Sequence, residues 1–175
     1  MEEDSLMRLQ RGNASYVKTG VFVGDVGPLC RFANREGQHP FAAVVACADS
    51  RVVPEAIFSA GLGELFVIRV AGNVVDKTQL ASLRYAVEHL GVDTVVILGH
   101  TGCGAIAAAL DDGEHDDVAY LVRLIRASVG REKNAEKATC LHVQATVDKV
   151  RADLSSAVRV VGAVYDTLSG VVRFL

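Results

Sequence analysis

The chain has 175 residues, half of them hydrophobic and 22% charged, enough to bury a core without staples and too apolar for a disordered segment. The net charge of −3, with no basic cluster, argues against a nucleic-acid partner. No uncharged apolar run reaches the about 18 residues of a membrane span, and the acidic start Glu2-Glu3-Asp4 is unlike a secretory signal.

Asp4 to Lys18 reads as a helix carrying Leu6, Met7, Leu9 and Ala14, followed by a loop from Gly20 to Gly27. Phe41 to Ala46 is a continuous apolar run, the pattern of a strand buried on both faces. Pro54 opens a short helix, and Glu64 to Ala71 is a second strand. Thr78 to Leu90 carries Leu80, Leu83, Val87 and Leu90 on one helical face and stops at Gly91. Thr94 to Leu98 is a third strand, Gly104 to Leu110 a helix and Asp111 to Asp117 an acidic turn. Helices over Val118 to Val129 and Ala135 to Asp153 precede a fourth strand, Ala157 to Tyr165, and a fifth, Val171 to Leu175. Strands alternating with helices predict an α/β fold with a mostly parallel sheet of four to five strands flanked by helices. The expected organisation is a single domain, with a helical arm over 1–36 and an α/β core over 37–175. The four cysteines, Cys30, Cys47, Cys103 and Cys140, do not suggest a disulfide framework in a chain this size, so a reducing cytoplasm is the expected location.

In such sheets ligands bind outside the carboxyl ends of the strands. Two motifs lie at such ends: Cys47-Ala48-Asp49-Ser50-Arg51 after the first strand and Gly99-His100-Thr101-Gly102-Cys103-Gly104 after the third. Two thiolates and an imidazole are a familiar set for catalytic zinc, which keeps a fourth position open. His100 and Cys103, three apart on a glycine-rich turn, can point to one side. Placement of all three at strand ends favours a metal over the alternative of two buried cysteines and a core histidine. Asp49 lies within reach of the metal's fourth position, and Arg51 can clamp it with a bidentate pair. The other use of such a pair is to shape the loop.

Cys-x-Asp-Ser-Arg followed by His-x-x-Cys resembles the β-class carbonic anhydrases. The resemblance runs from about Gly37 to Ala108 and resumes weakly over Val161 to Asp166. It implies zinc-dependent, reversible hydration of carbon dioxide to bicarbonate. Zn2+ would be held by Cys47, His100 and Cys103. Asp49 would accept a hydrogen bond from the attacking hydroxide, held in that role by Arg51. In the family's closed form, Asp49 instead takes the fourth position on the metal. Gln38, Phe66 and Tyr85 match the substrate pocket of the plant-like open-site type, and the backbone N–H of Gly104 would favour bicarbonate. The resemblance also implies a homodimer or a multiple of dimers, the N-terminal helix packing on a partner subunit. The bicarbonate-regulated branch carries a tryptophan where Val44 stands, although Arg69 and Tyr165 match its other members. Arg69-Val70-Ala71-Gly72-Asn73 departs from the usual pattern and would alter the pocket wall.

Rival readings are a carbon disulfide or carbonyl sulfide hydrolase on the same zinc site, and a non-catalytic zinc-binding domain. A nucleotide-binding module is disfavoured, since no phosphate-binding glycine-rich loop follows the first strand. His115 is a candidate proton shuttle, more simply read as a solvated loop histidine, and His39, His89 and His142 are read as equally ordinary.

Overall fold

In the computed structural model, which describes residues 3–113 and 116–175, seven helices and five strands alternate along most of the chain. β1 (Ala42–Ala46), β2 (Leu65–Arg69), β3 (Thr94–His100), β4 (Arg159–Tyr165) and β5 (Val172–Phe174) form one sheet in the order β2-β1-β3-β4-β5. All neighbouring pairs are parallel except β4 with β5. β1 and β3 are buried along their whole length, which explains their unbroken apolar runs.

Helices cover both faces. Ala42, Val44, Ala46, Val96 and Leu98 pack with Leu9 of α1 (Ser5–Thr19) and Ile57 of α3 (Pro54–Ile57). Ala43, Val45, Val95 and Ile97 pack on the other side with Leu83 of α4 (Lys77–Leu90) and Val143, Val147 and Val150 of α7 (Ala135–Asp153). A third apolar cluster joins Cys47 and Cys103 to α5 (Gly104–Leu110), α6 (Ala119–Val129) and α7 through Ile106, Ile125 and Ala138.

Local chemistry sets the helix ends. The Asp4 carboxylate accepts from the N–H groups of Leu6 and Met7 at 3.0 and 3.2 Å, which starts α1. Gly20 and Gly91, at φ 65° and 73°, end α1 and α4 in the left-handed conformation. α1 docks on its own protomer through the buried Asn13, whose amide donates to the Ile57 and Gly170 carbonyls. Met7 and Val17 remain exposed.

Several boundaries differ from the sequence reading. Pro28–Ala33 forms a short helix, α2, with Pro28 in its first turn. The second strand ends at Arg69, because 71–73 tighten into a 3-10 turn with Gly72 and Asn73 at positive φ. The third strand runs on to His100, whose backbone pairs with Tyr165. His100 therefore closes the strand and is not on the turn. No helix among the described residues is long and apolar enough to cross a membrane.

Candidate metal centre

From β1 the chain continues to β2 on one side, then returns to β3 on the other, so the strand order reverses between β1 and β3. A crevice opens at the carboxyl ends of strands at such a point. Ala46 pairs with Leu98, so continuing the register sets Cys47 opposite Gly99 and beside His100. Cys103 caps the start of α5. Gly102, at φ 66°, lets the chain turn from β3 into that helix within three residues.

The donor atoms of Cys47, His100 and Cys103 all lie within 4.8 Å of one another, and all three residues are buried. The two sulfurs are 3.9 Å apart. His100 Nδ1 lies 2.9 Å from the Thr101 carbonyl, which can only accept, so Nδ1 carries the proton and Nε2 the lone pair. Nε2 is buried without a hydrogen-bond partner. An orphaned lone pair beside two sulfurs is costly unless a cation takes it up. The set of two sulfurs and one nitrogen suits a borderline divalent metal.

The sulfurs differ. Cys47 is held below the ordinary thiol range, first by a hydrogen bond from Cys103 and further by the N–H groups of Asp49 and Gly72. Cys103 is pushed up, by donating to Cys47 and by burial. The pair thus shares one proton, which a metal would displace.

Asp49 faces the cluster with Oδ2 3.9 Å from His100 Nε2, beyond hydrogen-bond range. Three donors of Arg51 hold it: the backbone N–H and Nε to Oδ1 at 2.9 and 3.0 Å, and Nη2 to Oδ2 at 2.7 Å. Nη2 also donates to the Gly102 carbonyl, tying the two motifs together. The Arg51 guanidinium is the main reason the Asp49 carboxyl stays well below the usual carboxylate range.

Sequence reasoning missed the groups behind this cluster. Arg69 donates to the Cys47 carbonyl at 3.1 Å and the Asp49 carbonyl at 2.6 Å, clamping the loop. The Thr167 N–H donates to the Thr101 hydroxyl, fixing the turn that holds His100. His142 is buried and bonded through both ring nitrogens, unlike a solvated histidine. The signal for Arg69 was its place at the end of β2, in register with Ala46.

Of the expected pocket residues, Gly104 directly follows Cys103, and the other three come from elsewhere in the chain. Phe66 and Tyr85 have ring centroids 6.3 Å apart beside the free edge of β2, and Tyr85 stacks on His89. Gln38 lines a depression with Phe22, Glu55 and Leu65. Gly104 is exposed at the first position of α5. His115 lies outside the described residues.

The family model described as "Carbonic anhydrase" matches residues 42–172. A β-carbonic anhydrase of Aspergillus fumigatus superposes with a TM-score of 0.74 at 27% identity, over 98% of this chain and 88% of that one. The Coccomyxa β-carbonic anhydrase gives 0.73 at 26% identity, over 97% and 84% of the two chains. The chain belongs to the β-class carbonic anhydrase family. The carbonic anhydrase of Mycolicibacterium smegmatis is 44% identical over 109 residues, 61% of this chain and 53% of that protein. Carbonic anhydrase 2 of Mycobacterium tuberculosis is 54% identical over 74 residues, 42% of this chain and 36% of that protein. The matched segments thus span about half, or less, of these relatives.

Proposed function

We propose that this β-class carbonic anhydrase domain hydrates carbon dioxide reversibly to bicarbonate, using zinc held by Cys47, His100 and Cys103. The observation that carries the reading is the buried Cys47–His100–Cys103 cluster with the Asp49–Arg51 pair at its mouth. When bound, the metal supplies a Lewis acid that makes water acidic enough to act as a nucleophile near neutral pH.

The chain's own residues do the rest. Asp49, ionised and locked by Arg51, accepts a hydrogen bond from the attacking oxygen and turns its lone pair toward the substrate carbon. The hold of Arg51 on both carboxylate oxygens supports an open site, in which Asp49 is a partner of the nucleophile and not a fourth ligand. Cys47 and Cys103, shielded from solvent, keep their sulfurs available to the metal. Gln38, Phe66 and Tyr85 would form the wall of the substrate pocket, with Gly104 offering a backbone N–H to bicarbonate.

The remaining assignments belong to the same proposal. Residues 1–175 act as one domain, the arm over 1–36 joining the core over 37–175. The functional unit is a homodimer or a multiple of dimers, supported by the exposed apolar side chains of α1 and the uncovered edge of β2. A reducing cytoplasm suits the four free thiols.

Stopped-flow carbon dioxide hydration by zinc-loaded protein, from about pH 6.5 to 9 around the near-neutral value of an activated water, tests this. Asp49→Asn should retain zinc and lose about 10²–10⁴-fold in turnover. Activity confined to the alkaline end would place Asp49 on the metal. Stoichiometric zinc with no turnover at any pH would overturn the hydratase and send the site to carbonyl sulfide or a binding role.

A further inference from the structure

Gly72 stands between the metal cluster and the interior of the helical layer. Its N–H donates to Cys47 Sγ at 3.2 Å, and its carbonyl lies 2.9 Å from His142 Nε2. Its φ is 67°, and a Cβ there would meet Ile125 Cδ1 at 2.8 Å and Ala105 Cβ at 3.0 Å. A side chain there would be crowded and strained, yet packing alone does not fix a glycine's orientation, because glycine is conformationally permissive. A hydrogen bond on each side does.

The carbonyl can only accept, so His142 Nε2 is the donor. The ring's other nitrogen, Nδ1, lies 2.7 Å from Ser128 Oγ. Burial lowers the His142 pKa, which favours the neutral ring; the Ser128 hydroxyl, which also lies 2.6 Å from the Ile125 carbonyl, divides its one proton between that carbonyl and Nδ1. His142 is thus oriented by α6 and in turn orients the loop beside Cys47. It lies on the buried face of α7 with Ala138, Thr139 and Thr146.

We propose that His142 is a positioning residue for the metal centre: by holding the Gly72 carbonyl it aims the Gly72 N–H at Cys47 Sγ and so sets how much charge that sulfur donates to the metal. The inference rests on the reading of Cys47 as a metal ligand. An amide hydrogen bond withdraws electron density from a thiolate, and partners behind the ligands carry roughly 10–100-fold in metal affinity. Without the bond, the sulfur is richer in charge and less well placed.

The test loads His142→Leu, His142→Gln and the parent with zinc and with cobalt(II). Zinc affinity is read by competition with a chromophoric chelator, and the sulfur-to-cobalt charge-transfer band by absorption. His142→Leu, with a circular dichroism spectrum like the parent's, should bind zinc about tenfold or more weakly and move the cobalt band to lower energy. His142→Gln, whose amide can still donate to the Gly72 carbonyl, should restore both. A merely structural role would lower the melting temperature of His142→Leu and leave the cobalt band in place, which would overturn the proposal. So would a His142→Gln no better than His142→Leu. If His142→Leu does not fold, His142→Asn carries the same prediction, since its shorter amide falls short of Gly72 while still reaching Ser128. These readouts need no turnover: absent hydration with unchanged His142 effects would sink the hydratase alone, whereas absent metal binding would sink both.

Discussion

Gly99 precedes His100 in β3, beneath helix α7. A Cβ at this position would lie 2.7 Å from Val143 Cγ2 and 3.0 Å from Thr139 Cγ2, several tenths of an ångström inside ordinary contact. Both neighbours are β-branched residues on a helix, where χ1 has little freedom. They cannot swing away as a long side chain would. The strand cannot yield either, because β3 is bonded to β1 on one side and β4 on the other. Gly99→Ala must therefore lift α7 or force Val143 off its rotamer, at a cost of about 1–3 kcal/mol. For a chain of this size that is about 2–4 °C in melting temperature per kcal/mol. Val143→Ala alone should cost about 1.5–3 kcal/mol, from the methyl groups lost and the cavity left. Because it removes the atom that the new Cβ strikes, the double variant should be more stable than the sum of the singles by at least about 0.5 kcal/mol. Urea unfolding of the four proteins measures this. Additive costs, or a Gly99→Ala as stable as the parent, would refute the account of the close approach between β3 and α7.

Other measurements address the site. Arg51→Ala should lower hydration about 10–100-fold without changing the shape of the profile near neutral pH, because Asp49 stays ionised there even at its ordinary value of 3.8. Added guanidinium should restore part of the rate, and an unchanged rate would make the pair a loop-shaping contact. Burial lowers the folded-state pKa of His142 from its ordinary 6.5, so the unfolded chain binds more protons in this range. Its contribution to stability should be complete above about pH 6.5 and fall on acidification by up to about 1.4 kcal/mol per pH unit. His142→Gln should flatten that part of a urea-unfolding profile. Chelating the metal should lower the melting temperature reversibly, since it binds the folded state. It should also make Cys47 and Cys103 more reactive toward a thiol reagent, and unchanged labelling would argue against them as ligands.

The sequence by itself carried the α/β layering, because fully buried parallel strands read as unbroken apolar runs such as Ala42 to Ala46. It also carried the grouping of Cys47, His100 and Cys103, because they are chemistry-bearing residues placed where strands end. The Asp49–Arg51 pair was legible for a similar reason: two residues in one short loop meet without help from the rest of the fold. What lies behind the cluster was not legible. Arg69, Gly72 and His142 reach the loop from β2, from the turn after it and from α7, 70 residues beyond Gly72. No spacing in the chain announces a hydrogen bond across such a distance. The strand order and register decide it, by bringing the end of β1 between β2 and β3. The end of the third strand was misplaced for the same reason. His100 belongs to β3 because its backbone pairs with Tyr165 of β4, a long-range partner that local glycine content does not reveal.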